Sequence, residues 1–340
     1  PRLCREYKKE RATVHLKELV GGALSFYAAA AAAKTGGVHV FVAEDRDAAA
    51  YLMNDFYNLL DEKQVYFFPS SYKRSVAYGA EDAQGVVQRT AAMNAVKGFT
   101  KGYLIVCTYP EALAERVADA ETLRRDTIAV KVGDSISIAV LEDALVDANF
   151  TRVDFVYEPG QYSVRGGIVD VFSFSESKPY RIDFFGDEVD SIRRFNISSQ
   201  LSADKLDRVE IIPNLNAGDG AAKVSFVQFA GDAAAYWFYD ADYVLRRVND
   251  IRRKTLADME RPEEIDRLMT SRNALLGDLA NCRMLALRDN LPERPATAAV
   301  EFDTAPQPKF NKNFEMLADD MIRNSLRGYT TYILSENKVQ

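Results

Sequence analysis

Short apolar runs alternate with amphipathic stretches along the first third of the chain. The runs are rich in β-branched and aromatic residues and cover residues 38–42, 65–68 and 103–108. Between them, residues 48–60 and 82–96 repeat apolar positions at the three- and four-residue spacing of a helix buried on one side. Continuous apolar strands joined by helices are typical of a parallel sheet covered on both faces. The pattern therefore predicts an α/β domain.

The pattern changes between residues 151 and 213, where short strand-like runs are separated by turn-forming pairs such as Gly166-Gly167 and Gly186-Asp187. The runs cover residues 152–157, 161–164, 168–174, 180–185 and 209–212. Closely spaced strands of this kind predict an antiparallel meander.

From residue 214 onward the sequence again alternates between strand-like and helix-like segments. We predict strands at residues 224–229, 236–239 and 329–334, helices at 243–272 and 314–324, and a proline-rich loop or linker at 290–308. Two helix-like stretches, 111–125 and 140–149, flank the start of the strand-rich region. The simplest architecture is one α/β domain in two chain segments, split by a β-rich insertion near residues 122–213. An end on a predicted strand also suggests a piece of a longer protein.

Composition narrows the class of protein. The 340 residues carry 43 Lys and Arg against 50 Asp and Glu, a formal net charge of −7, and 47% of them are apolar. This length suggests about two domains. The acidic balance disfavours nucleic-acid binding by the whole surface, because such binding requires basic side chains to neutralise phosphates. With no apolar stretch near the roughly 18 residues of a membrane span and no signal peptide, we expect a cytoplasmic protein with no membrane partner.

Cysteine and histidine are scarce. Cys4, Cys107 and Cys282 are an odd number at wide spacing, which argues against a disulfide framework or a thiolate zinc site. His15 and His39 are the only histidines, which leaves little for a histidine-rich metal centre or a Ser-His-Asp triad. We expect no metal ligands and no catalytic residues, and we place His39 in a strand.

A glycine pair, Gly21-Gly22, invites comparison with a phosphate-binding P-loop. That motif needs Gly-Lys-Ser/Thr after four intervening residues, because the lysine reaches the terminal phosphates and the hydroxyl holds magnesium. Counted from Gly21, these positions hold Phe26, Tyr27 and Ala28. We therefore predict a degenerate P-loop without a bound cofactor.

The acidic partner of a P-loop is also incomplete. Asp240 follows the apolar run 236–239, but the next residue is Ala241 rather than a second carboxylate. We interpret Asp240 as the N-cap of a helix.

Strand alternation places charged and aromatic side chains on one face of the insertion. Along residues 180–185 every second side chain is apolar and should face the core, which leaves Arg181, Asp183 and Phe185 on the opposite face. Aromatic and arginine side chains together are typical of protein interfaces. The alternatives are that a loop of the same domain covers Phe185 or that the sheet face is simply solvated.

Neighbouring strands extend this patch. Arg165 precedes the Gly166-Gly167 turn, and Glu188 and the pair Arg193-Arg194 follow the Gly186-Asp187 turn. By composition this mixed-charge patch favours a protein partner over a polyanion.

The same residues carry a family resemblance. Residues 152–172, 179–193 and 199–200 resemble the bacterial transcription-repair coupling factors, the Mfd family, whose N-terminal region is similar to the excision-repair protein UvrB. The resemblance covers nearly the whole chain and implies a degenerate helicase-like α/β domain in two segments, residues 1–121 and 214–340. The inserted β-rich α+β domain, residues 122–213, is then expected to dock the damage-recognition ATPase UvrA.

The resemblance also implies site residues. Arg165, Arg181 and Phe185 match motif positions of the family's UvrA-contacting surface, and Asp183 and Glu188 belong to the same patch. The chain would be a non-catalytic module that recruits UvrA to stalled RNA polymerase. Motor domains that use ATP and magnesium on double-stranded DNA to remove stalled polymerase, and the polymerase-binding domain, would lie beyond residue 340.

Two other interpretations stay open. The first is an ATP-dependent, UvrB-like helicase that uses a nucleotide site in this chain. The second is direct DNA binding through the basic runs Arg124-Arg125, Arg246-Arg247 and Arg252-Arg253-Lys254, although such runs are usually solvated helix faces.

Overall fold

The computed structural model describes residues 2–9, 11–72, 82–215, 222–288, 291–306 and 308–332. The strands are β1 (Thr13–Lys17), β2 (Gly37–Val42), β3 (Val65–Phe67), β4 (Tyr103–Thr108), β5 (Val117–Ala118), β6 (Ile128–Lys131), β7 (Thr151–Arg152), β8 (Gln161–Arg165), β9 (Ile168–Val171), β10 (Tyr180–Phe185), β11 (Glu188–Phe195), β12 (Ser202–Leu206), β13 (Arg208–Ile211), β14 (Lys223–Val224), β15 (Ala235–Phe238), β16 (Arg283–Ala286) and β17 (Ala298–Glu301). The α-helices are α1 (Arg2–Tyr7), α2 (Ala23–Thr35), α3 (Arg46–Leu59), α4 (Ala83–Gly98), α5 (Pro110–Ala114), α6 (Ala120–Asp126), α7 (Ile138–Asp147), α8 (Phe226–Ala230), α9 (Ala241–Asp258), α10 (Ile265–Leu268), α11 (Arg272–Leu279) and α12 (Phe314–Leu326).

The larger sheet has seven strands in the order β17-β1-β16-β15-β2-β4-β3, and its neighbours all pair in parallel. The sequence prediction of an α/β domain with a parallel sheet is confirmed. Strands from both ends of the chain alternate within this sheet, because β15, β16 and β17 lie beside β1 and β2. Residues before and after the strand-rich region therefore build one hydrophobic core.

His39 lies inside that core, in β2 as predicted. Its Nδ1 accepts a hydrogen bond from Trp237 Nε1 at 3.1 Å, and its Nε2 lies 3.0 Å from the carbonyl oxygen of Gly36. Both ring nitrogens thus have partners when the imidazole is neutral and carries its proton on Nε2. Burial disfavours the imidazolium and lowers the pKa of His39 to about 4.

Several predicted elements are wrong or incomplete. Residues 224–229 form the end of β14 and the short helix α8 rather than one strand, because Ser225 and Gln228 make a capping box that starts a helix. The helix predicted at 243–272 ends at Asp258, shortly before Pro262, whose ring disfavours helical geometry in the preceding residue. The stretch 111–125 is two short helices, α5 and α6, with β5 between them.

Strand predictions also need correction. Only Thr151–Arg152 pairs in the region where we predicted a strand over 152–157. Strands β1, β16 and β17 have no counterpart in the prediction, and β17 lies within the proposed linker at 290–308. Residues 329–332 are not in a strand, and the rest of the strand predicted there lies outside the described residues.

The second sheet has six strands in the order β12-β11-β10-β9-β8-β7. Strands β8 to β12 form an antiparallel meander, and β7 pairs in parallel with β8. The meander was predicted for β8 to β11, whereas β12 was not predicted, and the predicted run 209–212 pairs with β6 instead of joining the meander. One face packs on α7 and on the β6–β13 pair around a core of its own. The chain thus combines a large parallel sheet with a separate, strand-rich mixed sheet. Among the described residues, no helix is both long and apolar enough to span a membrane.

Candidate functional site

Two tight turns bring the ends of four strands together at one end of the six-stranded sheet. The β8–β9 turn contains Gly166 at φ +60° and Gly167, where an added Cβ would lie 3.0 Å from the carbonyl oxygen of Phe184. The β10–β11 turn contains Gly186 at φ +66°. Glycine adopts these backbone angles and permits this close approach without strain. Because β9 and β10 are antiparallel, the two turns are neighbours.

Side chains of β10 alternate as predicted. Tyr180 and Ile182 are buried in the core of this sheet, and Phe184 packs against it from a partly buried position. Arg181 and Phe185 point the other way. We call this outward side the charged face, and its members lie on four adjacent strands: Ser163, Arg165, Asp170, Arg181, Asp183, Phe185, Ser191 and Arg193.

Asp170 is the centre of the charged face. Its carboxylate is 1% exposed and accepts hydrogen bonds from Arg181 Nε at 2.7 Å and Arg181 Nη2 at 2.8 Å. Arg165 Nη2 donates a third bond at 2.5 Å. The bidentate pair between Arg181 and Asp170 is strong and fixes the plane of the Arg181 guanidinium. The bond to Asp170 also raises the pKa of Arg181.

Further contacts hold the two arginines in place. The Arg181 guanidinium lies 4.4 Å from the ring centre of Phe195, and Nη1 donates to the carbonyl oxygen of Gln200 at 3.3 Å. Arg165 lies 4.8 Å from the ring centre of Phe155. These cation–π contacts and hydrogen bonds leave Arg181 15% exposed and Arg165 35% exposed. Arg165 is thus the more accessible of the two.

A second network lies beside the first. Asp183 accepts hydrogen bonds from Ser191 at 2.8 Å and from Arg193. All three side chains are partly buried. Three arginines therefore share two aspartates in these two networks.

The turn end of the charged face is apolar and exposed. Phe185 is 83% exposed, so no loop of the described chain covers it. Its strand partner is Glu188, which is also exposed and lies just after the Gly186 turn. An uncovered phenyl ring next to a carboxylate, on a sheet face that also carries arginines, can bind a protein surface through apolar contact and paired charges.

The structure brings together all five predicted site residues, Arg165, Arg181, Asp183, Phe185 and Glu188. Arg194 belongs elsewhere, because its side chain pairs with Glu176 at 3.2 Å on the other side of the sheet. Asp170 was missed. A lone acidic residue within the apolar strand β9, between Val169 and Val171, is the signal that could have indicated a buried partner for arginine.

The glycine pair lies where a P-loop would be expected, between β1 and α2. Gly21 has φ +58°, and Gly22 precedes the first residue of α2 without a capping side chain. Phe26 is exposed and Ala28 is fully buried. No positively charged side chain occupies these positions in the sequence.

The basic runs on helices are largely paired with carboxylates. Arg246 contacts Asp242, and the other pairs are Arg247–Glu111, Arg252–Asp266, Arg253–Asp250 and Arg125–Asp126. Asp240 caps α9 by accepting a hydrogen bond from the backbone nitrogen of Tyr243 at 2.8 Å, as predicted. Ion pairs within the chain and a helix N-cap therefore account for these side chains.

Comparison with known proteins bears on the strand-rich region first. Residues 128–216 match the family model described as the UvrB interaction domain. The charged face lies within this match. The resemblance stated from the sequence is thereby confirmed for this region.

Curated relatives extend the similarity beyond it. The chain is 29% identical over 199 residues to the transcription-repair-coupling factor of Bacillus subtilis (strain 168), which covers 58% of this chain and 17% of that protein. The chain is 28% identical over 199 residues to the Escherichia coli (strain K12) protein of the same name, with the same coverage. The Haemophilus influenzae protein is 30% identical over 128 residues, 38% of this chain and 11% of the relative. The matched part thus spans about a sixth of the B. subtilis and E. coli relatives.

Proposed function

We propose that this chain recruits the excision-repair protein UvrA through the charged face of its strand-rich domain. Phe185 is the apolar anchor, Arg165 and Glu188 are the accessible charged contacts, and Arg181 and Asp183 complete the surface. The observation that carries the proposal is an uncovered phenylalanine on the same sheet face as two fixed arginines, within the region that matches the UvrB interaction domain.

The arrangement of charges supports a protein partner. An interface residue loses conformational entropy when a partner immobilises it, at a cost of about 0.5–1.5 kcal/mol for a long side chain. Asp170 already restrains Arg165 and Arg181 in the free chain. A partner carboxylate therefore meets guanidinium groups whose orientation is largely set. Aromatic and arginine side chains together are the composition in which interface hot spots are enriched.

We further propose the domain division implied by the resemblance. Residues 1–121 and 214–340 would be the two segments of a degenerate helicase-like domain, and residues 122–213 the inserted UvrA-binding domain. The whole protein would act in the cytoplasm as an ATP-dependent translocase on double-stranded DNA that removes stalled RNA polymerase. Its ATP and magnesium would be bound by domains outside this chain, which itself would be non-catalytic.

The test is the affinity of the chain for purified UvrA, measured by isothermal titration calorimetry. Phe185→Ala should weaken binding about tenfold or more, the effect typical of an aromatic anchor. The matched control is Phe26→Ala, which removes another exposed phenylalanine (65% exposed) from α2, a helix that packs on the seven-stranded sheet. The control should bind like the original chain.

The double variant Arg181→Ala with Phe185→Ala should lose measurable binding. Equal affinity of this variant and the original chain would show that the site is assigned wrongly. A nucleotide-dependent enzyme is tested separately with a fluorescent ATP analogue, for which we expect no saturable signal at submillimolar concentration.

A further inference from the structure

A cavity of about 320 Å³ lies at the carboxyl edge of the parallel sheet, beside the glycine pair. Residues at or just beyond the ends of three adjacent strands line it: Val42 of β2, Tyr239 after β15 and Leu287 after β16. Ligands of open α/β sheets bind at this edge. The volume exceeds the roughly 150 Å³ that accommodates benzene in an apolar protein cavity.

The floor of the cavity is aromatic and aliphatic. Phe41 and Trp237 stack with ring centres 5.0 Å apart and line the cavity together with Leu24 and Leu52, although both rings are almost fully buried. Tyr51, on the adjoining turn of α3, also lines the opening and is 76% exposed. An apolar floor of this size favours a flat aromatic group over a polar one.

The charged groups that line the cavity are carboxylates, Asp55 and Glu44. Asp55 Oδ2 accepts a hydrogen bond from Ser25 Oγ at 2.5 Å, in the first turn of α2. The positive end of that helix is the feature that binds phosphate in a P-loop, and here a carboxylate of the same chain faces it. Glu44 is partly offset by Arg288, 3.7 Å away. One negative charge remains uncompensated, which disfavours anions and favours cations.

We propose that this cavity binds a peptide segment in which an aromatic side chain is followed by a basic residue. The aromatic ring enters against Leu24, Leu52 and Tyr51, close to the almost fully buried Phe41 and Trp237, and the basic group pairs with Asp55. Polyphosphates are excluded because the helix end that would hold them faces Asp55. This site is distinct from the charged face and does not depend on the proposed UvrA contact.

The protein carries a built-in reporter for this site, because Trp237 is its single tryptophan. The experiment titrates the full chain with acetyl-Phe-Arg-amide while tryptophan fluorescence is recorded. Acetyl-Phe-Glu-amide and acetyl-Ala-Arg-amide are the matched probes for charge and for the ring. We expect a saturable change with the first peptide and binding at least about fivefold weaker with each of the others. For the Glu peptide, this factor corresponds to the loss of about 1 kcal/mol from a partly exposed charge pair.

Variants locate the binding. Ala48→Phe places a ring inside the cavity and should abolish the signal, whereas Asn54→Phe, at an exposed position of the same helix outside the cavity lining, should leave it unchanged. Asp55→Asn keeps the shape and should remove most of the preference for Arg over Glu. Circular dichroism verifies that each variant is folded, and UvrA affinity should be the same in all of them.

Three results would overturn the proposal. The first is no saturable change with acetyl-Phe-Arg-amide, and the second is equal binding of the Arg and Glu peptides. The third is a saturable response to ATP that the peptide competes away, since the cavity would then accept a polyphosphate.

Discussion

The two sheets use their polar side chains in opposite ways. In the parallel sheet, His39 and Trp237 hydrogen-bond to each other, and both are almost entirely removed from solvent. In the six-stranded sheet, Asp170 is equally buried, but it holds arginines that reach the surface. A hydrogen-bonded polar pair that is fully buried stabilises the fold. A buried carboxylate that pairs with partly exposed arginines instead presents charges of fixed orientation to a partner. This difference supports the proposal that the partner binds on the strand-rich domain.

The largest effect should come from Asp170→Ala. Removing the carboxylate leaves Arg181 with its charge uncompensated in a mostly buried position, which costs about 3 kcal/mol or more. Urea unfolding of the strand-rich domain measures the loss. The control is Asp190→Ala at the exposed bulge of β11, which should change the free energy of unfolding by less than about 0.5 kcal/mol. Similar losses in both variants would show that Asp170 does not organise the charged face.

The parallel sheet should show the clearest pH dependence. Above pH 6.5, His39 is neutral in the folded and the unfolded chain, so its contribution to stability is fully present. As the pH falls from 6.5 to about 4, the unfolded chain gains a proton that the folded chain does not, because burial holds the pKa of His39 at about 4. The free energy of unfolding should fall by up to about 3 kcal/mol over this interval.

The matched variant is His39→Gln, whose amide can keep one donor and one acceptor but does not titrate. Thermal or urea unfolding at a series of pH values should give a flatter profile for this variant between pH 6.5 and 4. Parallel profiles for the two proteins would mean that His39 does not control the acid sensitivity of the parallel sheet.

A smaller effect is expected at the start of α9. Asp240→Ala removes the N-cap hydrogen bond to the backbone nitrogen of Tyr243 and should cost about 1 kcal/mol. Asp240→Ser keeps a cap and should restore most of the stability. If Asp240 instead served nucleotide chemistry, both variants would change ATP-analogue binding, which we expect to be absent throughout.

The smallest effect on stability should come from Phe185→Ala. The side chain is almost fully exposed, so its removal should change the free energy of unfolding by less than about 0.5 kcal/mol. The same substitution is expected to have a large effect on UvrA binding. Phe185 would then affect binding but not folding, in contrast to His39, which affects folding. A large loss of stability in Phe185→Ala would contradict this contrast.

The sequence predicted those parts of the molecule whose signal is local. Period-two alternation identified β10 to the residue and placed Phe185 outward, because a strand buried on one face alternates strictly. The predicted N-cap, Asp240, is likewise a local pattern. Strands β1, β16 and β17 were missed. β1 and β16 pair with each other across more than 250 residues of chain, and β17 lies in a proline-rich stretch.

The exposed members of the candidate site were predictable, but its buried centre, Asp170, and its internal order were not. Arg181 and Phe185 follow from alternation, Arg165 from its position before the Gly166-Gly167 turn, and all three from the family resemblance. Their connection through Asp170 depends on the register between β8, β9 and β10. The separation of Arg194 from Arg193 depends on the direction of successive side chains in β11, one of which pairs with Glu176 and the other with Asp183. Sequence composition alone does not specify either.

The most direct test of the account is hydrogen–deuterium exchange of the full chain with and without UvrA. Partner binding at the charged face should protect the backbone amides of the β8–β9 and β10–β11 turns and the adjoining strand ends, while the seven parallel strands exchange at unchanged rates. Protection confined to the parallel sheet, with no change around Phe185 and Glu188, would contradict the assignment of the charged face as the UvrA-binding surface.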